Sequence, residues 1–123
     1  MNLEVQLSVE VAIVRLRERR LIFPMLESFT AAVKKLLEGG AKDLVLNLSE
    51  VKYLDSPAHG ALFELYRTVS ERGGTLKLVG LQPRVEAMAG LVGVTQVVEC
   101  FADERRALAS LKLPLSGEKT PGR

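Results

Sequence analysis

The sequence predicts a single α/β domain whose mixed sheet has about five strands and carries about four helices. Two apolar runs follow one another directly at the N-terminus, which indicates an antiparallel hairpin. Further along, apolar runs alternate with segments of helical periodicity, as in parallel strands joined by helices. The 123 residues are 47% hydrophobic, enough to bury one core. We expect residues 1–113 to form this domain and the polar tail, residues 114–123, to be disordered.

The N-terminal half contains three predicted strands and one helix. The runs LEVQLSV and VAIVRLR turn at Glu10 and form the antiparallel hairpin. Pro24 suits the first turn of a helix, and the pair Gly39-Gly40 ends that helix. Its apolar residues recur at helical spacing: Leu26, Phe29, Val33, Leu36 and Leu37. The run DLVLNLS carries few charges, so we expect a central strand that is covered on both faces.

The C-terminal half continues with two strands, TLKLVGL and QVVECF, each between helices. The helix between these strands begins at Pro83 and stops near Gly93. Its apolar residues are Val85, Met88 and Leu91. Asp103 is the predicted N-cap of a last helix that runs to about Leu113. This order makes successive strands parallel, with functional groups expected at their carboxyl ends.

The residue types that metal sites and many active sites require are scarce. Cys100 is the single cysteine and His59 the single histidine, so a zinc site is not expected. His59 lies three residues from Ser56, which leaves no independent base and orienting acid for a catalytic triad. The glycines of ERGGTLK lack the Gly-Lys-Ser/Thr order of a P-loop. We therefore expect no enzyme activity, no metal and no cofactor.

Charge and hydropathy argue against binding to nucleic acid or insertion into a membrane. The net charge is only +2, and no apolar run approaches the ~20 residues that span a bilayer. Within RLRERR, Arg15, Arg17 and Arg19 share one face of a strand, where they could hold an acidic partner. A solvated edge is the favoured interpretation. The start MNLEVQLSVE does not resemble a signal peptide, so we expect a cytoplasmic protein.

The segment YLDSPAHGALFELY joins a strand to a helix. We expect Ser56 to be the N-cap and Pro57 the first helical residue. The predicted core face of the helix consists of Ala58, Ala61, Leu62, Leu65 and Val69. The predicted exposed side consists of His59, Phe63, Arg67 and Ser70.

An exposed Phe63 suggests a use, because burying a phenylalanine stabilises a protein by about 1.5–3 kcal/mol. With Ser56, His59 and Gly60 it forms a predicted docking patch. The alternative is that single exposed apolar residues are common and have no function. A helix N-terminus also favours anions, and a phosphate there would add about two negative charges to the docking surface.

Three stretches resemble STAS domains, which are typified by bacterial anti-sigma factor antagonists. They are LVLNLSEVKYLDSPAHGALFELY, GGTLKLVGLQPRVEAMAGLVGVTQVVECF and ADERRALASL, and the resemblance covers residues 4–113. It implies a STAS-like sheet and a non-enzymatic partner-switching protein that docks an anti-sigma factor or a similar kinase-type protein. The implied docking residues lie in the loop and helix of residues 55–67. They are Asp55, Ser56, Pro57, Ala58, His59, Gly60, Phe63 and Arg67.

The chain departs from the family pattern at two places. The family's phosphoacceptor follows Asp-Ser, and here that position is Pro57, which has no hydroxyl. Ala58 replaces the glycine that follows, whereas Gly60 matches the second glycine. The segment RERRLIFPML replaces the usual Gly-x-Leu-Asp. Ser56 could be phosphorylated instead, but capping is the favoured role for its hydroxyl. Asp55 is expected to orient the loop.

Two other functions remain open from the sequence. STAS proteins without the phosphoacceptor resemble the small regulatory subunits that bind the ATPase of ABC lipid transporters. A small-ligand sensor that uses the helix N-terminus is a third interpretation. The sequence does not distinguish a monomer from a weak homodimer.

Overall fold

A computed structural model describes residues 1–112 of the protein. In chain order the elements are β1 (Leu3–Ser8), β2 (Val11–Leu16), β3 (Arg20–Leu21), a 3-10 turn (Phe23–Met25), α1 (Leu26–Glu38), β4 (Asp43–Asn47), β5 (Tyr53–Leu54), α2 (Ser56–Glu71), β6 (Leu76–Val79), α3 (Pro83–Leu91), α4 (Val94–Val97), β7 (Glu99–Phe101) and α5 (Glu104–Lys112). The predicted helix end at Leu113 and the predicted disordered tail lie outside the described residues.

The main sheet confirms the predicted mixed architecture. Its five strands lie in the order β1-β2-β4-β6-β7, with β1 antiparallel to β2 and the remaining pairs parallel. The hairpin turns at Glu10, which has a left-handed φ of 65°. In the central strands Val14 lies opposite Leu46, and Leu46 lies opposite Leu78. The second sheet, β3 paired in parallel with β5, was not predicted, because two-residue strands leave no periodic signal.

Each face of the main sheet has its own apolar cluster. Alternate residues of β2 and β4, among them Val14 and Leu46, pack with apolar residues from α1, α2, α3 and α4. The intervening residues Ile13 and Val45 pack with Ala107 of α5 on the other face. Strands that are buried on both faces read as continuous apolar runs, which explains the composition of β4.

Two expectations about elements were wrong in detail. Pro24 lies in the 3-10 turn before α1 rather than in the α-helix itself. The first part of the predicted strand QVVECF is the short helix α4, because Gly93 with a φ of 94° ends α3 and turns the chain into a new helical segment.

Two arginines of RLRERR, Arg15 and Arg17, are paired with acids of the same chain, so the solvated edge was the wrong interpretation for Arg15. Its Nε lies 2.7 Å from Oε2 of Glu104, and its Nη2 lies 2.8 Å from Oε1. Asn47 of β4 donates a further hydrogen bond of 2.7 Å to Glu104. Arg17 pairs with Glu4 and Glu50. This network joins α5 to β2 and β4, and the hydrogen bond from Arg15 lowers the pKa of Glu104 below its ordinary value.

Replacing Glu104 by glutamine should lower the free energy of unfolding by about 1–3 kcal/mol at pH 7, because charged hydrogen bonds are lost from a pair with little exposure. A carboxyl group whose pKa is lowered in the folded state stabilises the fold above its unfolded pKa, and this contribution disappears as pH falls through the folded pKa. The difference between wild type and E104Q should therefore shrink in acid, as measured by urea unfolding across pH 3–7.

Glu64→Gln is the matched control, because its partner Arg67 and Glu64 itself are both mostly exposed. Such pairs contribute about 0–1 kcal/mol. If E64Q and E104Q lowered the free energy of unfolding equally, this would contradict a structural role for the Arg15–Glu104 pair.

Candidate docking site at the start of the second helix

Asp55, and not Ser56, is the N-cap of α2. Its Oδ1 accepts a hydrogen bond of 2.9 Å from the backbone N–H of Ala58, and its extended backbone precedes a helix that begins at Ser56. The expected cap at Ser56 was therefore displaced by one residue. Both residue types cap helices well, so sequence preference alone could not decide between two neighbours.

The second carboxylate oxygen of Asp55 binds a different segment. Oδ2 accepts a hydrogen bond of 2.9 Å from the backbone N–H of Phe23. The backbone N–H of Asp55 also donates to the carbonyl of Leu21, at 3.4 Å. Asp55 therefore joins the segment around the 3-10 turn to the start of α2, which agrees with the expectation that it orients the loop. The sequence carried no signal for its distant partner.

His59 is buried and was wrongly expected on the exposed side of α2. It is 5% exposed, and its Nδ1 lies 3.0 Å from the carbonyl oxygen of Asp55. The other ring nitrogen, Nε2, is buried and has no hydrogen-bond partner among the described residues. The side of α2 that carries His59 is covered by β5 and α3, whose residues Leu54 and Val85 line the same cavity. Helical periodicity cannot show that a second layer covers this side.

Phe63 was also wrongly expected in water. Its ring is half-buried against the larger apolar cluster. Its Cζ lies 3.8 Å from the point that a Cβ atom at Gly93 would occupy, so the ring packs on the turn between α3 and α4. The predicted core residues Ala58, Leu62, Leu65 and Val69 are buried, and Ala61 is half-buried.

Ser56, Pro57 and Gly60 are exposed at the start of α2, and Arg67 is exposed further along the same helix. Phe23 joins them as a large apolar residue that is 68% exposed and whose backbone is bonded to Asp55. We call Phe23, Ser56, Pro57, Gly60 and Arg67 the docking face. Phe23 was missed because it precedes a proline and α1, where the pattern indicated only a helix start. Arg67 forms an ion pair with Glu64.

Gly60 lies inside α2 in open space. A Cβ atom built on it would have no neighbouring atom within 4 Å. Glycine inside a helix is less favourable than alanine by about 0.5–1 kcal/mol. Packing within the chain therefore gives no reason for a glycine here.

The described part of the chain offers no metal site and no membrane span. Within residues 1–112, no group of three or more His, Cys, Asp or Glu side chains is placed to hold a metal ion. No helix in this range is long and apolar enough to cross a bilayer. Burial and the neighbouring acids Glu86 and Glu99 raise the pKa of the Cys100 thiol, so the reactive thiolate is disfavoured.

The profile of the STAS domain matches residues 2–107. The chain belongs to the STAS domain family. This confirms the resemblance noted from the sequence. The strand order and the start of α2 described above therefore belong to a STAS domain.

Two curated relatives are anti-sigma factor antagonists. The chain is 33% identical over 67 residues to the anti-sigma-B factor antagonist of Bacillus subtilis, covering 54% of this chain and 61% of the relative. It is 23% identical over 70 residues to the anti-sigma F factor antagonist of Paenibacillus polymyxa, covering 57% of this chain and 60% of the relative. The matches thus span about three fifths of each relative's length.

Solved structures share the fold at low sequence identity. A candidate anti-sigma factor antagonist from Thermotoga maritima superposes with a TM-score of 0.81 at 22% identity, covering 89% of this chain and 94% of that chain. The Bacillus cell fate determinant SpoIIAA in its phosphorylated form superposes with a TM-score of 0.70 at 17% identity, covering 90% of this chain and 100% of that chain.

The two candidate caps can be distinguished by mutation. Asp55→Ala should lower the free energy of unfolding by about 1–3 kcal/mol, because α2 loses its cap and the Phe23 N–H loses its acceptor. Asp55→Asn should lower the free energy of unfolding by less than Asp55→Ala, since the amide oxygen of asparagine can still accept a hydrogen bond from Ala58. Ser56→Ala should change stability by less than about 0.5 kcal/mol. Denaturant unfolding followed by circular dichroism measures all three, and an equal loss for S56A and D55A would restore Ser56 as the cap.

Proposed function

We propose that this STAS domain is a non-enzymatic, cytoplasmic signalling protein that regulates transcription by binding an anti-sigma factor of the kinase type through the docking face. Gly60 carries the proposal. A helical glycine that nothing inside the chain requires is explained if a partner approaches the backbone of α2 closely at this point. The names of the two curated relatives support an anti-sigma factor as the partner.

The residues of the docking face provide what a protein interface needs. Phe23 supplies an exposed aromatic side chain, and aromatic residues are enriched in protein interfaces. Arg67 supplies a cation at the far end of the face, with Glu64 beside it. Asp55 binds both segments, so Phe23 and the start of α2 are held in place before a partner arrives. Ala58 and His59, which are buried, support this face from beneath rather than contact the partner.

Regulation of this docking face must differ from phosphorylation at residue 57, because Pro57 has no hydroxyl group. Ser56 carries the one hydroxyl between residues 55 and 60. Ser56 is exposed, and Asp55 rather than Ser56 caps α2. The Ser56 hydroxyl is therefore not occupied by capping and is available as a phosphoacceptor. A phosphate on Ser56 would lie at the positive end of α2 and in the middle of the docking face. Control of partner binding through Ser56 therefore forms part of the proposal.

The proposal can be tested with two substitutions at Gly60. Gly60→Arg should weaken binding to the cognate anti-sigma factor by about 100-fold or more, since the new side chain occupies the space of the partner. Gly60→Ala should raise the free energy of unfolding by about 0.5–1 kcal/mol. Calorimetric titration against each purified anti-sigma factor of the source organism measures binding.

Ala109→Arg is the matched control, because Ala109 is an exposed alanine of α5 on the opposite face of the sheet. It should leave binding unchanged. If G60R bound as tightly as wild type, the docking face would be wrong. If none of the anti-sigma factors bound the wild type, the partner class would be wrong.

Truncation of Phe23 tests the second segment of the docking face. Phe23→Ala should weaken partner binding by about ten-fold or more, as expected for an interfacial aromatic residue. The free energy of unfolding of F23A should differ little from that of the wild type, because the ring is 68% exposed. Leu7→Ala is the matched control, since Leu7 is 63% exposed on the edge strand β1. Equal binding by F23A and L7A would remove Phe23 from the docking face.

A further inference from the structure

A cavity of about 190 Å³ lies between β5, the first turn of α2 and the start of α3. Its apolar wall consists of Leu54, Val85 and Met88. Tyr53 and His59 contribute aromatic rings, and Lys52 and Arg84 contribute the charged groups. This combination of apolar walls and few polar groups is typical of small-molecule sites.

The His59 ring in the cavity wall carries an unused hydrogen-bond acceptor. The carbonyl oxygen of Asp55 can only accept, so Nδ1 of His59 must carry the proton that it donates at 3.0 Å. In the neutral ring Nε2 then carries a lone pair. This atom is buried without a partner among the described residues, and the ring forms part of the cavity wall. A buried polar atom without a partner is unfavourable, so a ligand hydroxyl that donates to Nε2 would relieve the penalty.

Lys52 and Arg84 give the cavity a positive charge. Both residues are exposed, and no carboxylate of residues 1–112 is paired with either of them. The described residues that line the cavity include no acid. Arginine binds carboxylates through two parallel hydrogen bonds, which makes a carboxylate the matching group on a ligand.

Size restricts the apolar part of the ligand. The volume of about 190 Å³ is below the ~300–1,000 Å³ of sites for drug-sized molecules. A single planar ring fits this volume, and Tyr53 in the cavity wall is an aromatic side chain on which such a ring can stack.

We propose that this cavity binds a small hydroxylated aromatic carboxylic acid, with its hydroxyl group on Nε2 of His59 and its carboxylate on Arg84 and Lys52. The proposal goes beyond the docking face, because it requires neither an anti-sigma factor nor any residue of that face.

Titration of the full chain with 4-hydroxybenzoate, followed by amide chemical shifts, tests the site. We expect saturable shifts at Tyr53, Leu54 and Val85. Benzoate, which lacks the hydroxyl group, and 4-hydroxybenzyl alcohol, which lacks the carboxylate, should each bind about ten-fold more weakly. Absence of saturable shifts up to the solubility of 4-hydroxybenzoate would overturn the proposal, as would equal affinity for benzoate.

Two variants assign the contacts. Arg84→Gln should weaken 4-hydroxybenzoate binding about ten-fold while the fold persists, because Arg84 is exposed. His59→Phe keeps a ring in the wall and should abolish the preference for 4-hydroxybenzoate over benzoate. Arg106→Gln, an exposed arginine of α5, should bind like wild type. An equal loss in R84Q and R106Q would show nonspecific charge attraction and overturn the site.

Discussion

The carboxylate of Asp55 is the constraint on which the candidate site depends. One oxygen accepts from Ala58 and starts α2, and the other accepts from Phe23, which lies 32 residues earlier in the chain. Each bond satisfies a backbone N–H at the start of a helical segment, where no intrahelical partner exists. One short side chain thereby fixes two helix entries relative to one another, and the small β3–β5 sheet forms beside it.

The two sides of the first turn of α2 lie in different surroundings. Ser56, Pro57 and Gly60 face solvent and belong to the docking face, whereas Ala58 and His59 face the protein. The backbone carbonyl of Asp55 contacts the His59 ring, so the same residue that holds the docking face also orients the imidazole in the cavity wall. The two sides of the turn therefore share Asp55 as a common contact.

The rest of the domain provides the framework on which this turn is held. The parallel strands β2, β4 and β6 are buried on both faces, and α5 is tied to the far face by Glu104, which binds Arg15 and Asn47.

Pro57 imposes a different constraint. It suits the beginning of a helix because its missing N–H is not needed there, and it also removes the hydroxyl group from the position at which the resemblance places the family's phosphoacceptor.

The sequence alone determined the mixed sheet, the order of its five main strands along the chain and the four longer helices, because apolar periodicity depends on local geometry that each segment carries itself. It also located the corner at residues 55–60. Only the tertiary structure decided which side of α2 is free: α3 and β5 cover His59, the turn at Gly93 receives Phe63, and Phe23 stands exposed instead. These outcomes depend on contacts between separate elements, most of them far apart in the chain, and the spacing of residues within one helix carries no information about them.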